Sequence, residues 1–354
     1  MRILHIDTGM MMRGGQAQLM MLIRGLRRRG HEQTLACPPP GQLFKAAVEE
    51  GFTALSIDRG YWNASQVIRG FLKVHKCDIV AAHDSRAQTI SFLATVGTRI
   101  VRIADRLVAF EPRNRFSHRI KYTSTCDIVI ASSQAVKDTM VRNGVPAAHV
   151  KVIRGGIEFP DQLPDHAEAR ARMRARWNLK VDDFVIGHLA AFTEEKGQID
   201  ALDALIALAP KHPALRMILA GNGPLLEQIK KKARAAKGIA QLPGYIKADA
   251  EFYAGLDLFL ANSTSEALGL APLYAMAHEV PVIASNVGGL PEVVGDGGWL
   301  IAPSDPAALA RAIEQVIVDP DQLNEAARRA REHARGFSAE VTVERTEALY
   351  RELI

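Results

Sequence analysis

Short apolar runs alternate with longer amphipathic stretches from the first residues onward. RILHID is followed by QAQLMMLIRGLRRRG, QTLACPP, FKAAVEEG, ALSID, VIRGFLKVHK, DIVAAH, QTISFLATVG and RIVRIA. The short runs have strand length and the stretches between them carry apolar residues at helical spacing, so the alternation predicts βαβ units and a parallel sheet. A helix from Arg113 to Thr125, the strand DIVIASS, the helix QAVKDTMVRNG and the strand VKVIRGG continue the series. One doubly wound domain is thus complete by Ile157, spanning residues 1–157.

The segment from Glu158 to Asp183 carries the turn formers PDQLPD and then the Arg-rich ARARMRARW, which reads as a connection and the first helix of a second domain. A second alternation follows: FVIGHLA, GQIDALDALIALAP, LRMILAGNG, PLLEQIKKKARAAK, IAQLPGY, DAEFYAGL, LFLANS, ALGLAPLYAMAHE, VPVIASN, LPEVVGDG, WLIAP and a helix from Pro306 to Val318. The second domain is expected over 158–336. In the tail, 337–354, a helix from Ala339 to Leu353 is a candidate to cross back onto the first. The fold class is therefore α/β, two Rossmann-like doubly wound domains facing a central cleft, with ligand expected outside the carboxyl ends of the strands.

Length supports this division, because 354 residues exceed one ordinary domain. Apolar residues at 48% and charged ones at 23% place the chain among folded globular proteins and leave no tract to assign to disorder. No apolar run approaches the roughly 20 residues that span a bilayer, and MRILHID reads as a strand rather than a signal peptide, so a cytoplasmic protein is expected. Cys37, Cys77 and Cys126 lack metal-ligand spacing and read as reduced structural thiols; neither a metal nor a disulfide framework is implied. The net charge of +5 is modest, and no nucleic-acid partner is expected. Arg99, Arg102, Arg106, Arg113, Arg115, Arg119 and Lys121 face only Asp105 and Glu111 over their stretch. Such a segment either attracts an anionic membrane surface or phosphate, or is a solvated helix face.

Chemistry is carried by loops that end strands. Gly14 and Gly15 follow the first strand and precede a helix expected near Gln16, where glycines let a phosphate approach backbone N–H groups at the positive end of a helix, or serve turn geometry alone. In SEALGLAP, Glu266 lies in a loop after LFLANS, with Gly269 and Leu270 opening the next helix. A carboxylate there can accept hydrogen bonds from sugar hydroxyls while the helix N-terminus receives a diphosphate, or it can simply complement the helix dipole. Gly221 and Gly223 in GNGP shape a base or phosphate pocket, or merely turn the chain.

The run NSTSEALGLAPLYAMAHEVPVIASNVGGLPEVV, with EEKG upstream, AGNGP between them and GGQAQLMMLIRGLRRRGHE near the start, resembles the retaining glycosyltransferases of family 4, the group 1 type with the GT-B fold. The resemblance covers nearly the whole chain in the right order. It implies an acceptor domain followed by a donor domain, no obligatory metal or cofactor, and a nucleotide diphosphate sugar as co-substrate. It further implies transfer to a glycan or lipid-linked acceptor with retained anomeric configuration, in cell-envelope polysaccharide or lipopolysaccharide synthesis. Glu266 matches the first of the family's two glutamates, which lies near donor sugar hydroxyls. The second, on the ribose, is Tyr274 here. Where relatives carry an arginine ahead of Lys196 to neutralise diphosphate, this chain has Ala191, leaving Lys196 as one matching cation and His188 as a candidate second. Where the family places a histidine near the donor sugar, Asp105 stands. The implied mechanism is electrostatic: Lys196 and the N–H groups near Gly269 and Leu270 stabilise the departing diphosphate as an oxocarbenium-like sugar forms. No carboxylate pair with glycosidase spacing can be argued. The departures leave open a catalytically silent partner or binding protein on the same fold. Met10, Met11, Met12, Met20 and Met21 either offer an apolar surface to a lipid-linked acceptor or, for Met20 and Met21, pack in the core.

Overall fold

The computed structural model describes residues 1–354 except Phe110, Arg113, Lys237, Lys247 and Ala248. The chain forms two compact units: Met1–Glu158 with Ser338–Ile354, and Phe159–Phe337. Each is a parallel α/β sheet.

In the first unit the strands β1 (Arg2–Ile6), β2 (Glu32–Cys37), β3 (Thr53–Ser56), β4 (Ile79–Ala82), β5 (Val101–Arg106), β6 (Ile128–Ala131) and β7 (Val150–Val152) lie in the order β3-β2-β1-β4-β5-β6-β7. The pairings are parallel, with Ile3 opposite Ile79 and Ile6 opposite Ala82 across β1 and β4. Ile3, Ile79, Ile103 and Ile130 turn to one face, where the helix Ala339–Leu353 covers them. Leu4, Ile6, Val80 and Ala82 turn to the other, against the helices Tyr61–Val74 and Ser85–Thr95. Burial on both faces is why these strands read as continuous apolar runs.

The terminal helix is held by packing and charge. A Cβ on Gly25 would lie 2.3 Å from Val343 Cγ2, so a glycine there permits close approach of the helices Gly14–Arg28 and Ala339–Leu353. Glu347 bonds His31 at 2.9 Å, Arg29 at 3.0 Å and Arg351 at 2.7 Å, and Arg351 first among these contacts holds its carboxyl down to about 2.

The second unit orders β8 (Phe184–Leu189), β9 (Leu215–Ala220), β10 (Ala240–Gly244), β11 (Leu258–Ala261), β12 (Val282–Ser285) and β13 (Gly298–Ile301) as β10-β9-β8-β11-β12-β13. Its core joins Ile186, Met217, Leu219, Leu258 and Ile283 to Leu202 and Leu205 of the helix Gln198–Leu208 and to Ile313 of the helix Pro306–Val318. The Arg-rich helix runs His166–Arg176, and one of its arginines is internal. Arg174 is 2% exposed and donates to Asp257 Oδ2 at 2.7 Å, the Asp183 carbonyl at 2.8 Å and the Gly255 carbonyl at 3.0 Å. Pairing of both terminal nitrogens makes the buried guanidinium tolerable, while its Nε has no hydrogen-bond partner among the described residues. The helix expected over Arg113 to Thr125 spans Arg115–Ser124, capped by the Asn114 side chain on the Ser117 N–H; Arg113 itself lies outside the described residues.

Candidate active site

Both sheets reverse direction once. In the second unit the chain runs outward from β8 through β9 to β10, then returns to β11 on the other side of β8. The crevice outside the carboxyl ends of β8 and β11 is thus a topological switch point, where open α/β sheets bind ligands. Lys196 comes from the loop after β8 and Glu266 from the loop after β11. Their side chains meet there, with Lys196 Nζ 2.6 Å from Glu266 Oε2 and each about a fifth exposed (21%).

Backbone contacts set this meeting. Gly197 adopts a left-handed conformation, φ +68°, and a Cβ on it would fall 2.2 Å from the Asn262 carbonyl oxygen. Only glycine permits that approach. Asn262, itself buried, returns a hydrogen bond from Nδ2 to the Gly197 carbonyl at 2.7 Å, and the Thr264 N–H donates to the Glu195 carbonyl at 2.8 Å. A third loop, after β12, backs Glu266 from behind. The Gly289 N–H donates to the Glu266 carbonyl at 3.1 Å, and Gly288, at φ +55°, would place a Cβ 1.8 Å from that same oxygen. Ser263 Oγ approaches Glu266 Oε2 at 3.5 Å. Gly269 then turns at φ +107° as the N-cap of the helix Leu270–Ala277, leaving its first N–H groups beside the carboxylate loop. One turn on, Tyr274 is half-buried, with its ring stacked on Tyr253 at 5.9 Å and 19°.

One sequence expectation changes. His188 is 2% exposed, its Nε2 faces the Lys196 carbonyl at 3.1 Å, and burial drives its pKa down to about 4. It is a neutral support beneath the Lys196 turn, not a second cation. Gly221 and Gly223 lie in the turn between β9 and the helix Leu226–Ala235. A Cβ on Gly221 would lie 1.9 Å from the Ala190 carbonyl oxygen, and one on Gly223 would lie 2.5 Å from that of Phe192, so these glycines let the turn pack on the backbone at 190–192. Ala191, in the place of the arginine that the resemblance implied, accepts the Gln198 side chain at its carbonyl.

In the first unit the switch point lies between β1 and β4. Gly14 and Gly15 form the first turn of the helix Gly14–Arg28, which begins two residues before Gln16. Gly15 and Asp105 line one small cavity. Asp105 receives the ring of His83, whose Nδ1 is 2.6 Å from Asp105 Oδ2. His83 was missed from sequence; its signal was a polar residue closing the apolar strand DIVAA. Met20 and Met21 are buried at 2% and 6%, so they belong to the core, whereas Met11 is 55% exposed.

Family profiles match both units. "Glycosyl transferases group 1" matches residues 169–335 and "Glycosyltransferase Family 4" matches residues 12–159. A D-inositol 3-phosphate glycosyltransferase of Geodermatophilus obscurus is 30% identical over 307 residues, covering 82% of this chain and 64% of that protein. A putative glycosyltransferase of Bacillus subtilis, EpsD, is 30% identical over 210 residues, covering 58% of this chain and 55% of its own length. The chain therefore spans less than two-thirds of these relatives. Among solved structures, Anabaena Alr3699/HepE in complex with UDP superposes with a TM-score of 0.88 at 20% identity over 99% of this chain and 100% of that one. WaaG, a glycosyltransferase involved in lipopolysaccharide biosynthesis, gives 0.75 at 14% identity over 98% and 99%. These likenesses establish the two-domain parallel-sheet GT-B fold, and with the two profiles they show that the chain belongs to the glycosyltransferases of the group 1, family 4 type.

Proposed function

We propose that the chain is a retaining glycosyltransferase that moves a sugar from a nucleotide diphosphate sugar to a glycan or lipid-linked acceptor in cell-envelope polysaccharide or lipopolysaccharide synthesis. The observation that carries this reading is the Lys196–Glu266 pair, held by three loops at the switch point beside the N-terminus of the helix Leu270–Ala277. A cation and orphan backbone N–H groups match a leaving diphosphate, and a carboxylate matches sugar hydroxyls. In this mechanism Lys196 and the N–H groups at Gly269 and Leu270 stabilise charge as it develops on the leaving group, while Glu266 orients the sugar and favours its cationic character. Tyr274 takes the ribose end, and Gly14, Gly15 and Asp105 belong to the same reaction from the first unit. Crystals of HepE containing UDP, glucose and UDP-glucose support the choice of a nucleotide-sugar donor and a sugar acceptor.

The site of work is the cytoplasmic face of an anionic membrane. None of the helices among the described residues is long and apolar enough to cross a membrane. The helix Arg115–Ser124 instead presents Phe116, 72% exposed, and Ile120, 45% exposed, beside the exposed Arg115 and Arg119. Apolar and basic side chains on one short helix suit a lipid surface. Lys121 and Arg102 do not contribute freely, being bonded to Ser85 and Asp127.

Thermal-shift screening against nucleotide diphosphate sugars, followed by turnover assays with those that stabilise, tests the reading. Stabilisation by one donor class together with release of its nucleoside diphosphate in the presence of a membrane-derived acceptor is expected. Binding without any turnover would contradict it in favour of a silent partner.

A further inference from the structure

The first unit contains a buried polar chain whose proton positions follow from its geometry. Gln33 Nε2 donates to the Ile23 carbonyl at 2.7 Å, which turns Gln33 Oε1 toward His5 Nε2 at 3.2 Å. A carboxamide oxygen only accepts, so His5 Nε2 carries the hydrogen. Burial first, and then neighbouring His83, hold the His5 pKa well below its ordinary value; the ring is neutral and its Nδ1 is a bare acceptor. That Nδ1 lies 3.0 Å from His83 Nε2, so His83 Nε2 must donate. One contact remains, His83 Nδ1 to Asp105 Oδ2 at 2.6 Å, and it holds one proton.

The surroundings assign that proton to the imidazole. Burial opposes charge on His83, but Asp105, then Asp7 and Asp84, together outweigh it and raise its pKa. Asp7 lies just beyond β1, Asp84 caps the helix Ser85–Thr95, and Asp105 is on β5. Asp7 is itself raised, chiefly by burial, and is eased by the Gly9 N–H and Gln16. From the terminal helix the buried Tyr350 hydroxyl is neutral near Asp105, its pKa pushed far up by burial.

Asp105 and His83 border a cavity of about 50 Å³ with Gly15, Ser132 and Thr342. A space of that volume admits a hydroxyl group or a few waters and not a sugar ring. Ser132, 5% exposed, has no partner for its Oγ among the described residues. A carboxylate locked as acceptor and an unpartnered hydroxyl thus line one hydroxyl-sized space at the carboxyl ends of β5 and β6.

We infer that Gln33 and His5 are positioning residues that keep a hydrogen on His83 Nε2, so that His83 stays doubly protonated against Asp105, and that Asp105 and Ser132 form a subsite for one hydroxyl of a sugar substrate. The role rests on the transferase reading above. The two residues touch no substrate; they act through His83 by requiring a hydrogen on its Nε2 in addition to the one toward Asp105. Without the Gln33 oxygen, His5 can move its hydrogen to Nδ1. His83 Nε2 is then free to accept, and the imidazolium can lose a proton that the intact chain retains.

Long-range ¹H–¹⁵N spectra of the histidine rings in the full chain, assigned with His5→Gln and His83→Gln, test the proton arrangement directly. At pH 7 His5 should be the neutral Nε2–H tautomer and His83 should be protonated on both nitrogens. A neutral His83, or His5 as the Nδ1–H tautomer, overturns the inference. Gln33→Leu tests the role in transfer. The alkaline limb of the turnover profile, measured with the nucleotide sugar that the screen identifies, should move down by about one pH unit or more, with the melting temperature near that of the parent. An unmoved limb in a folded Gln33→Leu protein overturns the positioning role while leaving the transferase reading intact. Should the variant not fold, the ring spectra of the parent chain decide. Absence of turnover in the parent removes the transferase reading and the role with it, whereas the spectra still accept or reject the proton chain.

Discussion

Glu266→Gln should separate binding from transfer with opposite signs. Lys196 faces two anions in turn: Glu266 in the free protein, at 2.6 Å, and the diphosphate of a bound donor. Fully exposed ion pairs contribute about 0.2 to 1 kcal/mol, while unit charges 4 Å apart near a protein surface interact by about 4 kcal/mol before desolvation and entropy are subtracted. With both side chains about a fifth exposed (21%), the net coupling lies near the lower figure, at about 1 kcal/mol. Neutralising Glu266 releases Lys196 from that partner and removes repulsion toward phosphate, so a nucleoside diphosphate should bind about fivefold more tightly. Transfer should move the other way. A hydrogen bond to a charged group is worth about 1.5 to 3 kcal/mol, so losing it from the sugar in the transition state predicts turnover lower by roughly 10- to 100-fold. Gln keeps an oxygen toward Lys196 Nζ, so the melting temperature should change little. Titration calorimetry with UDP at about 0.1 M salt, beside turnover with the identified donor, reads both effects. Fivefold weaker UDP binding, or turnover within threefold of the parent, would refute the assignment of Glu266 and Lys196 to sugar and phosphate.

Lys196→Ala should weaken binding of a nucleoside diphosphate about tenfold while leaving the bare nucleoside unchanged; equal losses in calorimetry would mean a damaged fold or a base contact. Tyr274→Phe should lower nucleotide affinity by one hydrogen bond, about 0.5 to 1.5 kcal/mol, and Tyr274→Ala by more, whereas a fall in melting temperature alone would reduce Tyr274 to its packing on Tyr253. Because burial depresses the His188 pKa to about 4, the neutral ring contributes stability that is full above about pH 6.5 and is lost as pH falls from there through 4. His188→Asn should flatten that acid loss in pH-dependent melting; an unchanged slope would show that His188 is not its source.

The doubly wound architecture was legible because parallel strands buried on both faces leave uninterrupted apolar runs, as in LFLA and VIAS, and the helices between them keep an apolar stripe. Glu266 and Gly269 were legible as loop residues between a strand and a helix. The meeting of Glu266 with Lys196 was not, since it depends on Gly197 pressing against Asn262, a contact between loops with no local signature. The same limit applied to Gly221 and Gly223, whose close approach to the backbone at 190–192 is a contact between loops. Charge was misleading where burial decides. His188 looked available as a cation and is an enclosed neutral ring, and Arg174, one of several arginines on its helix, is internal and donates to Asp257 and the Gly255 carbonyl. His83 shows the converse: a histidine closing an apolar strand carried no motif, yet it is the group that meets Asp105.

The anomeric configuration of the product tests the central claim most directly, because it reports transfer and its stereochemical course together. The identified donor, an α-linked nucleotide diphosphate sugar, should be incubated with the parent chain and its acceptor, and the anomeric proton of the new glycoside followed by NMR before any mutarotation. Retained α configuration, strongly reduced in Glu266→Gln, is the predicted result; a β-linked product, or an α product formed equally fast by that variant, would contradict the account.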